Sequence, residues 1–362
     1  VKFSRLMLFA LSALSLMGAC SAPVPTPTPP ATASLTASDL SAIKTYLLGK
    51  TSALKTHTAA LTAASNAYFD LAKGAQFDYA ALWHNQRDAV VKTLTDARAA
   101  WKLASPTYEQ TEGIVAGTPS LVEFDVILDA GASVQESPDD AVPFDLNLAD
   151  GRVLEKPGNL FGVTESALWG TEAEYTIPNL VADFDNNGKQ DLGDALPDAY
   201  VLKAGAELLQ KYANELDAAA QAWTPTDSDA FSALVVMVPT MGEYFDSWKN
   251  SRFVAGETST QRDFVAISRL ADIQDILGSL QIVYASVKPQ ITKVDATQAN
   301  QLEKQLNDLK AFVAHVYAQE QGGKKFTAEE ADTLGAETQN RATAIAGEIA
   351  QVAEKLNIKI VE

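Results

Sequence analysis

The sequence predicts an all-α fold, and three observations in its 362 residues carry that expectation. Apolar side chains recur at helical spacing through long windows, as at Leu40, Ile43, Leu47, Leu54 and Leu61. Alanine, the strongest helix former, is abundant in the same windows. Helix breakers sit between the periodic stretches rather than inside them, at Gly74, Pro225, Gly256 and Pro289.

The amino end reads differently. Lys2 and Arg5 precede an apolar run from Leu6 to Ala19, which predicts a secretory signal over 1–19. That run is short for a permanent membrane span. Met17-Gly18-Ala19-Cys20 resembles a lipobox, so Cys20, the only cysteine, is expected to be lipidated and to hold the chain on a membrane. Ser21 resembles an outer-membrane sorting residue, which places the expected location in the cell envelope, at the outer membrane and periplasm. Pro, Thr, Ala and Val dominate the next stretch, and 20–37 is expected to be an extended tether with no core of its own.

The formal charge is −18, and loss of Lys2 and Arg5 with the signal takes it to −20. Such a surface argues against nucleic acid as a partner and against electrostatic binding to anionic lipid. It suits a protein that attracts cations. Three histidines, His57, His84 and His315, are too few for a histidine-rich transition-metal centre.

In the body, Ser38-Asp39 predicts the cap of a helix reaching about Lys73, and a second helix covers roughly Tyr79 to Leu103. Pro106 predicts a break, with a new helix carrying Tyr108, Gln110, Thr111 and Glu112. Glu112 reads either as a site carboxylate or as a packed one. From Gly113 to Gly158 the pattern is irregular, with a short helix near Ser120 to Leu128. Its acids, Glu123, Asp125, Asp129, Asp139, Asp140 and Asp145, read as a solvated face. Leu160 to Trp169 is an apolar helix that Gly170 can stop. Glu165 inside it must be either paired in a core or aimed at a cation.

The segment 183–194 carries the strongest chemical motif. Asp183, Asp185, Asn187, Asp191 and Asp194 put oxygens at loop positions 1, 3, 5, 9 and 12, Gly188 holds position 6, and Lys189 supplies its carbonyl at position 7. This resembles EF-hand and dockerin loops and predicts a calcium ion with a structural role, with Ala195 to Trp223 as the exiting helix. Four more helical stretches follow, Ser228–Phe253, Ser259–Val287, Ala296–Glu320 and one opened by the capping-box sequence Thr327-Ala-Glu-Glu330. Ser268 and Asp272 share a helix face, so Asp272 can support a site or pair with Arg269.

Several of these pieces, in this order, resemble the imelysin-like family, which includes periplasmic iron-uptake proteins and proteins classed as metallopeptidases. Glu165 to Gly170 matches the end of its Gly-x-His-x-x-Glu signature, although Gly162 stands where that signature has histidine. Trp101, Tyr108, Gln110, Thr111 and Glu112 match a second segment, with Ser105 in place of its arginine. Met241-Gly-Glu-Tyr and Ser268 to Ile273 match further ones. The resemblance implies a helical domain over 38–356 built of two bundles, about 38–180 and 195–356, with a cleft that handles a cation. Glu112 and Glu165 would be its carboxylates, supported by Asp272. The function implied is non-enzymatic binding of iron during iron acquisition, with an envelope transporter or receptor as the protein partner. The alternatives are a metallopeptidase, which Gly162 would leave one ligand short, and a protein-binding envelope module that has lost its metal.

Overall fold

The computed structural model describes residues 39–184, 186–189 and 191–361. The expected signal segment, Cys20 and the tether lie outside the described residues, as does Asp185 of the acidic loop.

The described chain is all-α, with two minor two-stranded sheets. Helices α1 (Ser41–Gly74) and α2 (Tyr79–Val115) are followed by the single turn α3 (Val122–Asp125), which runs into a π-turn, Val126–Ala130. Strands β1 (Leu146–Asn147) and β2 (Val153–Leu154) pair ahead of α4 (Leu160–Trp169), which Gly170 ends in the left-handed conformation, as its sequence predicts. Strands β3 (Thr176–Val181) and β4 (Ala195–Pro197) flank the acidic loop. Then come α5 (Ala199–Ala222), α6 (Asp227–Met237), α7 (Met241–Asn250), α8 (Arg252–Ala255), α9 (Arg269–Val294), α10 (Ala296–Gln321) and α11 (Ala328–Lys355). The capping box at Thr327 and Glu330 forms as expected.

Helix α1 packs on α2 and α5, and α4 packs on α5, forming one group; α9, α10, α11, α7 and α6 form the other. A division at residue 195 therefore misplaces α5, which packs with the first group. The long α2 joins the groups through its contact with α9. Gly113 permits that approach: a side-chain carbon there would meet Leu280 Cγ at 2.9 Å and the Ile276 carbonyl at 3.1 Å. No helix among the described residues is long and apolar enough to cross a membrane.

Four features differ from the sequence reading. Helix α2 continues through Pro106, and α9 through Pro289. Proline costs each helix a backbone bond. Nearly every residue of α2 from Ala104 to Val115 is buried, and that packing holds the helix together past the proline. The helix expected from Ser259 starts only at Arg269, under the Ser268 cap, because the preceding backbone is tied down elsewhere. The acidic loop leads into β4 and not directly into a helix, so it sits in a β-hairpin rather than between the two helices of an EF-hand.

Candidate cation site

Five elements converge on a buried polar cluster. Glu109 and Glu112 lie one turn apart on α2, where i and i+3 share a face. Asp125 ends α3 and Asp129 sits on the π-turn, an irregularity frequent at functional sites. Tyr244 comes from α7, and Arg269 and Asp272 from the first turn of α9. Each of these residues is 8 % exposed or less. Asp125 and Asp129 thus leave the solvated face expected of them, while Glu123, Asp139, Asp140 and Asp145 do lie exposed.

Arg269 is the hub. Its Nη1 lies 3.1 Å from Asp272 Oδ2 and 3.5 Å from Glu109 Oε1, and its Nη2 lies 3.8 Å from Asp129 Oδ2. Its Cζ lies 3.6 Å from the ring centroid of Phe264 and 4.6 Å from that of Tyr244. The Tyr244 hydroxyl donates to Glu112 Oε1, and the Tyr108 hydroxyl donates to Asp125 Oδ1 at 2.6 Å.

These bonds leave a residue of unmet demand. Glu109 Oε2, Glu112 Oε2 and Asp129 Oδ2 are buried and accept no hydrogen bond. A buried carboxylate oxygen without a donor is costly, so three of them together need a proton or a cation. Glu109, Glu112 and Asp129 each offer an oxygen, and the three lie within 4.8 Å of one another, close enough to share one ion. Oxygen-only donors fit a hard cation.

The titration of the cluster follows from its burial. Burial, helped by Asp272, Asp129 and Glu112, pushes the Glu109 carboxyl well above its ordinary range, with Arg269 pulling the other way. Asp129 rises to about 8 through burial, against the pull of Arg269, and Asp272 to about 6 by the same balance. Asp125 is raised well up by burial and by Glu112. Burial opposes the charge on Arg269, yet Glu109, Asp129 and Asp272 hold its guanidinium firmly protonated. One guanidinium against five carboxyls leaves room for added positive charge.

A cavity of about 520 Å³ opens onto the cluster. Glu112, Asp125, Asp129, Tyr244, Asp263 and Arg269 line it, with exposed Glu136 and Glu243 also on its wall.

The sequence-predicted residues divide. Glu112 and Asp272 fall in the cluster, Asp272 as the partner of Arg269. Glu165 does not line the cavity. Its carboxylate accepts from the backbone of Phe264 at 2.7 Å, Val265 at 2.9 Å and Ala266 at 2.8 Å, which ties down the segment ahead of α9. Burial raises this carboxyl to about 8, with the three amides pulling against it. Gly162 donates to the Asn159 side chain that caps α4, and a side-chain carbon there would meet Asp263 Oδ2 at 2.7 Å. The space beside Gly162 is therefore filled by the Asp263 carboxylate. None of the three histidines lines the cavity: His57 is half-buried on α1, and His84 and His315 are exposed.

The acidic loop lies apart from the cluster in sequence and fold. Asp183 accepts from the backbone of Asn187 at 3.0 Å and Gly188 at 2.9 Å, and buried Asp194 accepts from Phe184 and Asp191, both at 3.0 Å. Asn187 donates to Asp191 Oδ2 at 3.1 Å, and the Lys189 amide donates to the Asn187 side chain at 2.7 Å. Arg98 ties this loop to α4, donating to the Gly193 carbonyl at 2.5 Å and the Leu168 carbonyl at 2.8 Å.

The sequence reading missed Glu109, Asp125, Asp129, Tyr244 and Arg269. Two signals were present. Glu109 and Glu112 share a helix face, and Asp125 and Asp129 stand four apart among Val122, Phe124, Val126, Ile127 and Leu128.

Fold and cluster together define an all-helical protein with a buried, carboxylate-rich site at the junction of two helix groups. The Imelysin family profile, peptidase family M75, matches residues 42–352, and the chain belongs to this family. No curated protein matches the chain.

Proposed function

We propose that this protein binds a hard cation, iron in the first place, through Glu109, Glu112 and Asp129. It does so without hydrolysing peptides, as an envelope protein held to the membrane by lipidated Cys20 and serving iron acquisition with a transporter or receptor partner. The observation that carries the reading is the convergence of three buried carboxylates, each of which keeps an oxygen that accepts no hydrogen bond. Carboxylates alone favour ferric iron or calcium over softer metals. Tyr244 and Arg269 act as positioning residues: each holds one oxygen of a glutamate and leaves the other free. Asp272 supports the site by balancing Arg269. Glu165 would contribute through the segment it ties to the cavity, which includes Phe264.

The family's peptidase label keeps a metallopeptidase as the second reading. A catalytic zinc takes about three protein ligands, usually with histidine among them, plus an open position. The donors at this cluster are all carboxylates, which favours storage or transfer of a hard ion over zinc hydrolysis. We further propose that Asp183, Asp185, Asn187, Lys189, Asp191 and Asp194 hold a structural calcium, a reading that rests on their spacing.

Calorimetric titration separates these readings. Iron, supplied as Fe²⁺ without oxygen, is expected to bind wild type and to lose affinity in Glu112→Gln. Calcium binding is expected to disappear in Asp183→Ala and to survive in Glu112→Gln. Stoichiometric zinc with peptide hydrolysis, or iron affinity indifferent to Glu112→Gln, would overturn the proposal.

A further inference from the structure

Resting on that cation reading, we infer that the cavity takes its ion stripped of anionic chelators and excludes a negatively charged metal complex. Size does not make this choice, since about 520 Å³ holds a small chelate as well as an aquated ion. Charge makes it. Among the described residues, the acidic side chains on the wall are Glu112, Asp125, Asp129, Glu136, Glu243 and Asp263, against Arg269 alone as a basic one.

An anionic chelate would need a cation on the protein to receive it, and Arg269 is already committed. Its terminal nitrogens face Glu109, Asp272 and Asp129, and aromatic rings of Phe264 and Tyr244 lie against the guanidinium. Its Nε, which donates to no acceptor, is buried. The next guanidinium, Arg262, donates to the Pro157 carbonyl at 2.8 Å and stands between Glu136 at 3.7 Å and Asp263 at 3.8 Å. Among the described residues, no lysine lines the cavity. A carboxylate of a chelator would therefore lose its hydration shell to face a wall of acceptor oxygens, with no uncommitted cation to receive it. An aquated cation meets the opposite: acidic walls that concentrate it, then buried oxygens without donors that replace its water. Thr240, Ser247 and Asn159 on the same wall suit the shell of water that such an ion carries in.

The test presents iron to the purified protein in two forms, anaerobic Fe²⁺ and ferric citrate made with radiolabelled citrate. Iron and citrate retained per protein are counted after desalting. Iron is expected to be retained without citrate, and excess citrate is expected to strip occupancy. Citrate retained one-to-one with iron would overturn the inference and leave the cation reading standing. No iron retained from either form would overturn the reading itself. Charge reversal at the exposed Glu243→Lys gives an independent arm, since this residue lies on the wall and outside the buried cluster. Association of Fe²⁺ at low salt is expected to slow roughly 10-fold, with the difference shrinking as salt rises. An unchanged association rate would count against selection by charge.

Discussion

Glu112 and Glu165 look alike in the sequence and differ in the structure. Both are glutamates on apolar helix faces, both match segments of one family pattern, and both are almost fully buried. Glu165 is met by three backbone amides from the segment before α9. Glu112 is met on one oxygen by Tyr244 and on the other by nothing. A buried carboxylate whose acceptors are filled is part of the scaffold; one that keeps an oxygen open beside two others in the same condition is poised for an ion. The same contrast separates the two acidic regions. In the 183–194 loop Asp183 and Asp194 bend onto backbone amides, whereas Glu109, Glu112 and Asp129 converge with oxygens to spare.

The largest effect that would sharpen this contrast is expected from Glu165→Ala. It strands three amides and opens a void, costing about 3–5 kcal/mol and lowering the melting temperature by roughly 5 °C or more. A loss below about 1 kcal/mol would remove Glu165 from the scaffold. Next comes Glu112→Gln, expected to leave thermal stability nearly unchanged in metal-free protein, because the amide oxygen can still accept from Tyr244, while weakening iron binding about 100-fold. A strongly destabilised variant would mean that Glu112 is scaffold too.

The pH dependence tests the same difference without a mutation. In the folded protein Asp272 titrates at about 6, Asp129 and Glu165 at about 8, and Glu109 and Asp125 well above their ordinary range. All lie above the unfolded values near 4, so the folded state holds extra protons and these groups stabilise it fully only below about pH 4. That contribution drains away as pH rises through 6 to 8. The groups shifted the other way, such as Asp217 and Asp150, lose their contribution only as pH falls below the ordinary carboxylate range, outside this window. Metal-free protein is thus expected to melt several degrees lower at pH 8 than at pH 5, and bound iron is expected to flatten the slope. A melting temperature that rises across that window would contradict the assignment of unmet acids. The smallest effect is expected from Tyr244→Phe. It removes one donor from Glu112 and should weaken iron binding about 10-fold while leaving calcium binding untouched; equal affinity would show that Glu112 needs no such support.

Most of the helical framework was legible from spacing alone, because periodicity reports burial along one helix at a time. What it missed has a common cause. Pro106 and Pro289 stay inside helices because tertiary packing outweighs a single lost bond. Helix α9 starts ten residues after Ser259 because Glu165, distant in sequence, holds the amides that would otherwise have joined it. Of the cluster, Glu112 and Asp272 could be read from motif and face. Asp125 and Asp129 could not be told from solvated acids until α2, α7 and α9 were seen to close over them. Arg269 was visible only as a possible partner for Asp272, whereas it organises three carboxylates drawn from three elements.

The central claim is that open oxygens, not merely buried acids, mark the site. Iron titration of wild type, Glu112→Gln and Glu165→Gln, each checked for folding by circular dichroism, tests it most directly. Binding retained in Glu165→Gln and lost in Glu112→Gln is the expected result; binding lost in Glu165→Gln and retained in Glu112→Gln would contradict it.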